Sequence, residues 1–467
     1  MKKIIPLIII FISTVCISMA SSDAETQSRR AIRSLVKQYR LSNATISIAA
    51  QNIDSGRLVY RYAEDRLMIP ASNEKIFTAI AALTVLPKTF KFETEVLYNK
   101  SKYSNGVLDD NLYIDFSGDP SLTGAQIYQL LLKIKQYGIN KVTGNIIIVA
   151  NKFSGDYIPD GWSKSDAKYC YAAPASTLNM NKNCSVIKLI KKPGSSHTTV
   201  EKISNTSNIA IKNKATVQSS YAPKKCTFRI HMNDDNVLYL SGCLPEQKEF
   251  YLNLAIANPA LKTLDTIKDF IQKIGITCTG NIIIGHLSKI PLNQLTSIYS
   301  EPIGELITHM LHKSDNLYAE SIARTVGYKI DGIGSTEISV KAMKNTIAKY
   351  YKLKTTGRLV MKDGSGLSHG NYVTPAFMVE LLSGVYQSAI GKVFYSYLPS
   401  RNIKGLAGKV RAKTGTLKGV STLSGYLYTK KNHIISFSIM LNNLDNNQRT
   451  KARILQNKVL KVFYKYL

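Results

Sequence analysis

The stretch IPASNEKIFTAI, residues 69–80, decides how the rest of the chain is read. Ile76, Phe77, Ile80 and Leu83 recur at helical spacing, which predicts a helix with one face in a core. Ser72 and Lys75 stand three residues apart at its start, so their side chains project from the same side, one turn above each other. Burying a charged lysine is expensive unless the ammonium is paired or gives up its proton. A neutral lysine is a base, and a base beside a hydroxyl can turn it into a nucleophile. The S-x-x-K pattern decides nothing alone: further copies start at Ser34, Ser165 and Ser185, and a helix-capping serine with an exposed lysine would read the same.

Two later stretches give the pattern its weight. Ser314-Asp315-Asn316 in KSDNLYAE falls in a break between two helical segments, and Lys413-Thr414-Gly415-Thr416 in RAKTGTLKG falls on a predicted strand. S-x-x-K, S-D-N and K-T-G in this order form the signature of penicillin-binding proteins and class A β-lactamases. SGDPSLT (117–123), DGWSKSDAKYCYAAPASTLN (160–179) and DGSGLSHGNYVTP (363–375) narrow it. With them the chain resembles the D-alanyl-D-alanine carboxypeptidase/endopeptidases, the class C low-molecular-mass penicillin-binding proteins, over nearly all its length after the first 20 residues. The 242 positions between Ser72 and Ser314 suit that family, in which extra domains interrupt the catalytic one.

The resemblance implies an α/β (α+β) fold. A penicilloyl-serine transferase domain of the β-lactamase/transpeptidase type is expected at 21–95 and 290–467, an inserted α/β domain at 96–165 and 252–289, and a nested β-rich insert at 166–251. The residues carry their own trace of this nesting. IKQYGINKVTGNIII (134–148) is echoed by IQKIGITCTGNIII (271–284), each a helix end, a glycine turn and a β-branched strand. Two copies are too few for a solenoid and suit two halves of one domain. Around them, ISIAAQNI (46–53) and RLVYRY (57–62) flank Asp-Ser-Gly as a β-hairpin, and Thr374-Pro375 opens a helix. The last helix carries Leu455, Val459, Phe463 and Tyr466 on one face, to be packed on a sheet.

The chemistry needs these residue types. Ser72 is the expected nucleophile and Lys75 its base, kept neutral by desolvation and by the ammonium of Lys413. Ser314 can relay a proton to the leaving amine, and Asn316 can hold the substrate amide. Lys413, Thr414 and Thr416 suit a terminal carboxylate, while Gly415 is expected to leave room for substrate along the strand. Backbone N–H groups of Ser72 and Thr416 would form the oxyanion hole. By resemblance, Asp166 followed by Tyr171 binds the ammonium of a diaminopimelate side chain. After DGSGLS, relatives commonly carry arginine where this chain has His369, which offers charge only when protonated. The single Trp162 reads as packing.

The implied reaction is acyl transfer to Ser72 from the penultimate D-alanine of a peptidoglycan stem peptide, with release of terminal D-alanine and then hydrolysis. Cleavage of cross-bridges and inhibition by β-lactams follow from the same resemblance. The rivals are a β-lactamase, for which no deacylating glutamate is identified, and a catalytically silent wall-binding protein, against which the intact trio speaks. No cofactor is implied, and no H-E-x-x-H or similar motif suggests a metal.

Lys2 and Lys3 precede an apolar run from Ile4 to Cys16 and then small residues Ser18 and Ala20, the pattern of a secretory signal cleaved after Ala20. Export across the inner membrane to the periplasm is the expectation. Of six cysteines, all but Cys16 lie beyond it. Local pairing predicts Cys170–Cys184 and Cys226–Cys243, each closing a loop of roughly 15–18 residues, with Cys278 packed as a small apolar residue. The 61 basic residues against 31 acidic ones would suggest nucleic acid in a cytosolic protein. Export and the lack of an arginine-rich tract point instead to a whole-surface bias, and the functional reading of that charge is a weak envelope-surface association through attraction to anionic polymers.

Overall fold

The computed structural model describes residues 25–218 and 226–467, so the expected signal segment and the expected cleavage after Ala20 lie outside the described residues. The first sheet is built from both ends of the chain. Thr45–Asn52 and Leu58–Tyr62 form the hairpin, bulged between Ala50 and Gln51. Ile434–Asn442 pairs with the other side of Thr45–Asn52, then Val420–Tyr428, then Val410–Leu417 at the edge, antiparallel throughout. Alternation along these strands sorts the two faces. Leu423, Leu427, Phe437 and Ile439 point into a core shared with the C-terminal helix Arg449–Tyr466 and the helix at 25–39. Tyr426 and Met440 point the other way, into a core shared with helices Glu74–Val85, Ile303–Lys313, Asn316–Asp331 and Pro375–Gln387. Thr374 caps the last of these by accepting from Phe377 N, with Pro375 in its first turn.

The internal repeat is spatial as well as sequential. Ile282–Gly285 pairs in parallel with Ile146–Val149, Ile282 opposite Ile146, so equivalent residues of the two copies are neighbours. The two helices that lead into them, Gly124–Tyr137 and Pro259–Lys273, bury Ile127, Leu130, Leu131, Ile134, Ile267 and Ile271 in one core. The first starts on a Thr123–Gln126 capping box and stops at Gly138, whose φ of 109° suits glycine.

Between the copies, strands 184–191, 198–204 and 249–255 form one three-stranded sheet and strands 211–217, 229–232 and 238–244 another, around Leu189, Leu240 and Leu254. The disulfides are Cys170–Cys184 and Cys226–Cys243, with Cα atoms 5.2 and 5.3 Å apart. Cys278 is a free thiol on the short strand Thr277–Cys278.

The expected domain limits need correction at three places. A limit at 95 cuts strand Glu93–Tyr98, and one at 251 cuts Glu249–Ala255. Strand Asn293–Tyr299, expected in the catalytic domain, pairs with Glu93–Tyr98 in the repeat-bearing sheet. The physical reason is hydrogen bonding: a strand belongs with the sheet that satisfies its backbone, and no local composition marks which sheet that is.

Candidate active site

Ser72 lies in a 3₁₀ turn, Ala71–Asn73, that runs into helix Glu74–Val85. The turn is stitched to the edge of the first sheet. Asn73 Nδ2 donates to Lys413 O at 3.2 Å and to Thr422 Oγ1 at 2.8 Å, and Thr422 Oγ1 donates to Pro70 O at 2.7 Å. Ala71 has φ 48°, an uncommon left-handed conformation for a residue with a side chain. Two glycines let other backbones approach this turn. A Cβ on Gly415 would stand 2.1 Å from Thr422 Oγ1 and 2.5 Å from Pro70 O, and one on Gly366 would stand 1.9 Å from Ala71 O. This corrects the expectation for Gly415: its missing side chain makes room for the nucleophile's own turn rather than for substrate, because alternation points residue 415 inward with Lys413.

Lys75 is fully buried. Its Nζ donates to Asn316 Oδ1 and to Ser365 O, both at 2.6 Å, and its third contact is Ser72 Oγ at 3.0 Å. Burial pushes this amine down to about 8, against the upward pull of Asp363, Glu320, Asp315 and Glu74. The geometry suits the neutral form. Two N–H groups serve the two carbonyl oxygens, and the lone pair remains for the Ser72 hydroxyl proton.

Ser314 closes helix Ile303–Lys313 in the left-handed conformation, and Asp315 caps helix Asn316–Asp331 through Tyr318 N. That sharp junction turns Ser314 toward Lys413, whose Nζ donates to Ser314 Oγ and to Thr414 O at 2.9 Å each. Burial, then the charges of Lys75 and Arg401, hold Lys413 well below the usual lysine range. The mutual repulsion expected to lower Lys75 is thus felt at Lys413, while the carboxylates around Lys75 act against its deprotonation. Asp315 works structurally. Burial would raise it, but hydrogen bonds from His309 and Lys182 and the Lys182 charge hold it at about 2.

Asn316 is already engaged at both ends. Its Oδ1 accepts from Lys75 Nζ, and its Nδ2 donates to Tyr171 O at 2.6 Å. Asn316 thereby ties Lys75 to the 170–172 turn, and its second Nδ2 hydrogen keeps a donor for a substrate amide. Tyr171 is half exposed, and its hydroxyl donates to Asp166 Oδ1 at 2.8 Å. Thr414 and Thr416 are partly exposed on the edge strand Val410–Leu417.

The loop at 363–371 enters the sequence reading only through the family resemblance, which leaves the roles of its buried residues unread. Asp363 accepts from Trp162 Nε1, Gly366 N and Ser368 N at 2.7 Å and from Asn371 Nδ2 at 2.9 Å. Those bonds shape the loop that presents Ser365 O to Lys75, so Trp162 both packs and holds Asp363. Glu320 accepts from Gly364 N, and burial followed by the Asp363 charge raises it to about 7. Glu74 is fully buried with neither carboxyl oxygen hydrogen-bonded. Burial, then Asp363 and Glu320, push it well up. Locally it reads as a first-turn glutamate favoured by the helix dipole, and only the loop folding across it buries it. His369, one position past buried Ser368, is exposed.

Comparison with known proteins follows this geometry. The model of the D-Ala-D-Ala carboxypeptidase 3 (S13) family matches residues 28–461. The chain is 29% identical over 448 residues to D-alanyl-D-alanine carboxypeptidase DacB of Haemophilus influenzae, covering 91% of this chain and 92% of that one. It is 24% identical to the D-alanyl-D-alanine carboxypeptidase of Actinomadura sp. over 91% of this chain and 82% of the relative. The crystal structure of penicillin-binding protein 4 of H. influenzae superposes with a TM-score of 0.85 at 28% identity, over 93% of this chain and 99% of that one. The same relative complexed with a β-lactam gives 0.81.

Proposed function

The chain belongs to the D-Ala-D-Ala carboxypeptidase 3 (S13) family, and from that premise we propose how its own residues carry the reaction. It is a serine-type D-Ala-D-Ala carboxypeptidase, sensitive to penicillin. Ser72 Oγ attacks the carbonyl of the penultimate D-alanine, and its proton passes to the neutral amine of Lys75. The resulting Lys75 ammonium is stabilised chiefly by the neighbouring Asp363 carboxylate. Ser314, hydrogen-bonded to Lys413, hands a proton to the departing D-alanine nitrogen. The Lys75 proton then restores the Ser314 hydroxyl, so Lys75 is neutral again when water attacks the acyl-enzyme. Lys75 takes the water proton and passes it to Ser72 Oγ as the ester bond breaks, and Ser72 is regenerated.

Thr414, Thr416 and Lys413 receive the terminal carboxylate. The N–H groups of Ser72 and Thr416 serve the oxyanion. Asp166 keeps one carboxylate oxygen beyond its Tyr171 bond, which suits the ammonium of a stem-peptide side chain. The same acyl-transfer chemistry serves cross-bridge cleavage, so endopeptidase activity belongs to this reading. Two disulfides and the leader pattern support a periplasmic location.

The observation that carries the reading is a fully buried lysine, depressed to about 8, 3.0 Å from Ser72 Oγ. Fluorescent penicillin tests it. The peptidase is expected to give a long-lived label on Ser72 together with D-alanine release from a pentapeptide. Rapid turnover of the label would make the protein a β-lactamase, and no label would make it a binding protein.

A further inference from the structure

Two neighbouring helices gather basic residues on one face of the molecule. The helix at 25–39 and the C-terminal helix Arg449–Tyr466 pack side by side on the sheet face turned away from Ser72, joining Ile32 and Val36 to Leu455 and Phe463 in one core. Lys458 Nζ lies 5.4 Å from the Tyr39 ring centroid, which fixes their adjacency. Arg29, Arg30, Arg33 and Lys37 are exposed on the first helix. Lys451, Arg453, Lys461 and Lys465 are exposed on the second, whose 18 residues include no Asp or Glu. The one acid of the first helix, Glu25, is bonded to Arg57 and pairs with Arg29 at 4.0 Å, leaving Arg30, Arg33 and Lys37 without an acid on their own helix. Burial and the neighbouring Arg453 charge also push the Arg401 guanidinium down, a sign of cations crowded together.

Like charges gathered on two adjacent helices repel one another, and an anionic partner relieves that cost. Ile454 is 42% exposed among the cations, and Tyr464 and Tyr466 are partly exposed. Long cationic side chains with apolar and aromatic groups between them suit phosphate headgroups above an acyl boundary. Two convex helix surfaces offer an area rather than the groove that holds a single polyanion strand.

We propose that the outer face of the 25–39 and Arg449–Tyr466 helices is a docking surface for an anionic phospholipid bilayer. Binding there uses the side of the sheet opposite the Ser72 helix and leaves the cleft open. The test is co-sedimentation of the exported chain with vesicles of phosphatidylcholine containing about one third phosphatidylglycerol, in low and high salt. The variant K451E/R453E/K461E/K465E is compared with a control of equal charge change on the inserted domains, K141E/K214E/K268E/K273E. Each basic residue near such a surface contributes enough that four reversals should weaken binding at least about tenfold. The expected result is salt-sensitive binding that the control keeps and the helix variant loses, while both label with fluorescent penicillin as the wild type does. Equal loss in both variants would reduce the effect to net charge and overturn the proposal. So would no binding to vesicles, or retention on polyphosphate beads without vesicle binding, which would assign the face to a polymer.

Discussion

At Lys75 the function and the cost of the fold meet in one atom. Its amine must be neutral to accept the Ser72 proton, and burial holds it near 8. The acylation rate should therefore rise with pH, about tenfold per unit well below 8, and level off above it. Stopped-flow acylation by a chromogenic β-lactam across pH 6–9 reads this directly. Lys75→Ala should lower the rate by about 10²–10⁴-fold, and near-wild-type acylation would remove the base from Lys75. Glu74 makes the opposite demand. Its folded pKa lies well above that of the unfolded chain, so folding favours the protonated form. Its share of stability is intact below the unfolded value and declines as pH rises toward the folded one. Glu74→Gln cannot titrate, so its Tm relative to wild type should climb steadily between pH 5 and 8; a pH-independent difference would show that Glu74 is charged in the fold. At His369 the expectation is narrower. His369→Arg should raise kcat/KM on diaminopimelate stem peptides at pH 8 a few-fold. Simple D-Ala-D-Ala peptides should be unaffected, and equal change on both substrates would end the idea.

At the scale of elements, the site is a contact between a helix start and a strand edge, and glycine sets how closely they meet. Gly415→Ala places a methyl group against Thr422 Oγ1 and Pro70 O. The strand can yield only by moving the Ser72 turn, at a cost of about 1–3 kcal/mol. Acylation should fall far more than stability, because Ser72 Oγ and Lys75 Nζ must stay in hydrogen-bond reach. Denaturant unfolding beside penicillin labelling separates the two, and a variant that labels normally would show that the edge has slack. The junction at Ser314 follows the same logic. One residue in the left-handed conformation lets one helix end and the next begin, and this presents Ser314 to Lys413.

Across the whole molecule, the insert reaches into the catalytic site through one wall. Cys170 adjoins Tyr171, whose carbonyl receives Asn316 Nδ2, so Cys170–Cys184 anchors a turn that touches the Lys75 network. Cys226–Cys243 joins the start of the segment at 226–228 to strand Leu238–Leu244 and reaches no residue of that network. Each bridge constrains the unfolded chain by about 3 kcal/mol for loops of this length. Cys170→Ser with Cys184→Ser should therefore slow acylation as well as destabilise, whereas Cys226→Ser with Cys243→Ser should lower only the stability of the insert. Labelling rates and thermal melts of both pairs decide this. Equal labelling rates would mean that the 170–172 turn holds its place without the bridge.

How much was legible beforehand depends on the range of the interaction. The helix at Ser72, the hairpin, the Thr374 cap, the repeat and the three motifs are local patterns, set by side-chain period and by fixed backbone preferences a few residues apart. The sequence by itself therefore determined which residues could do the chemistry and, by resemblance, the nesting of the fold. It did not show that Gly415 faces the nucleophile's turn, that Asn316 is held at both ends, or that Asp363, Glu320 and Glu74 stand beneath Lys75. Strands 93–98 and 293–299 likewise declare their sheet only when they pair. These were decided by tertiary structure alone, because burial and hydrogen-bond partners come from segments hundreds of residues apart. Lys75 meets Asn316 across 241 positions and Ser365 across 290. What makes its amine a base is the removal of water by those distant segments, a property that no window of the sequence contains.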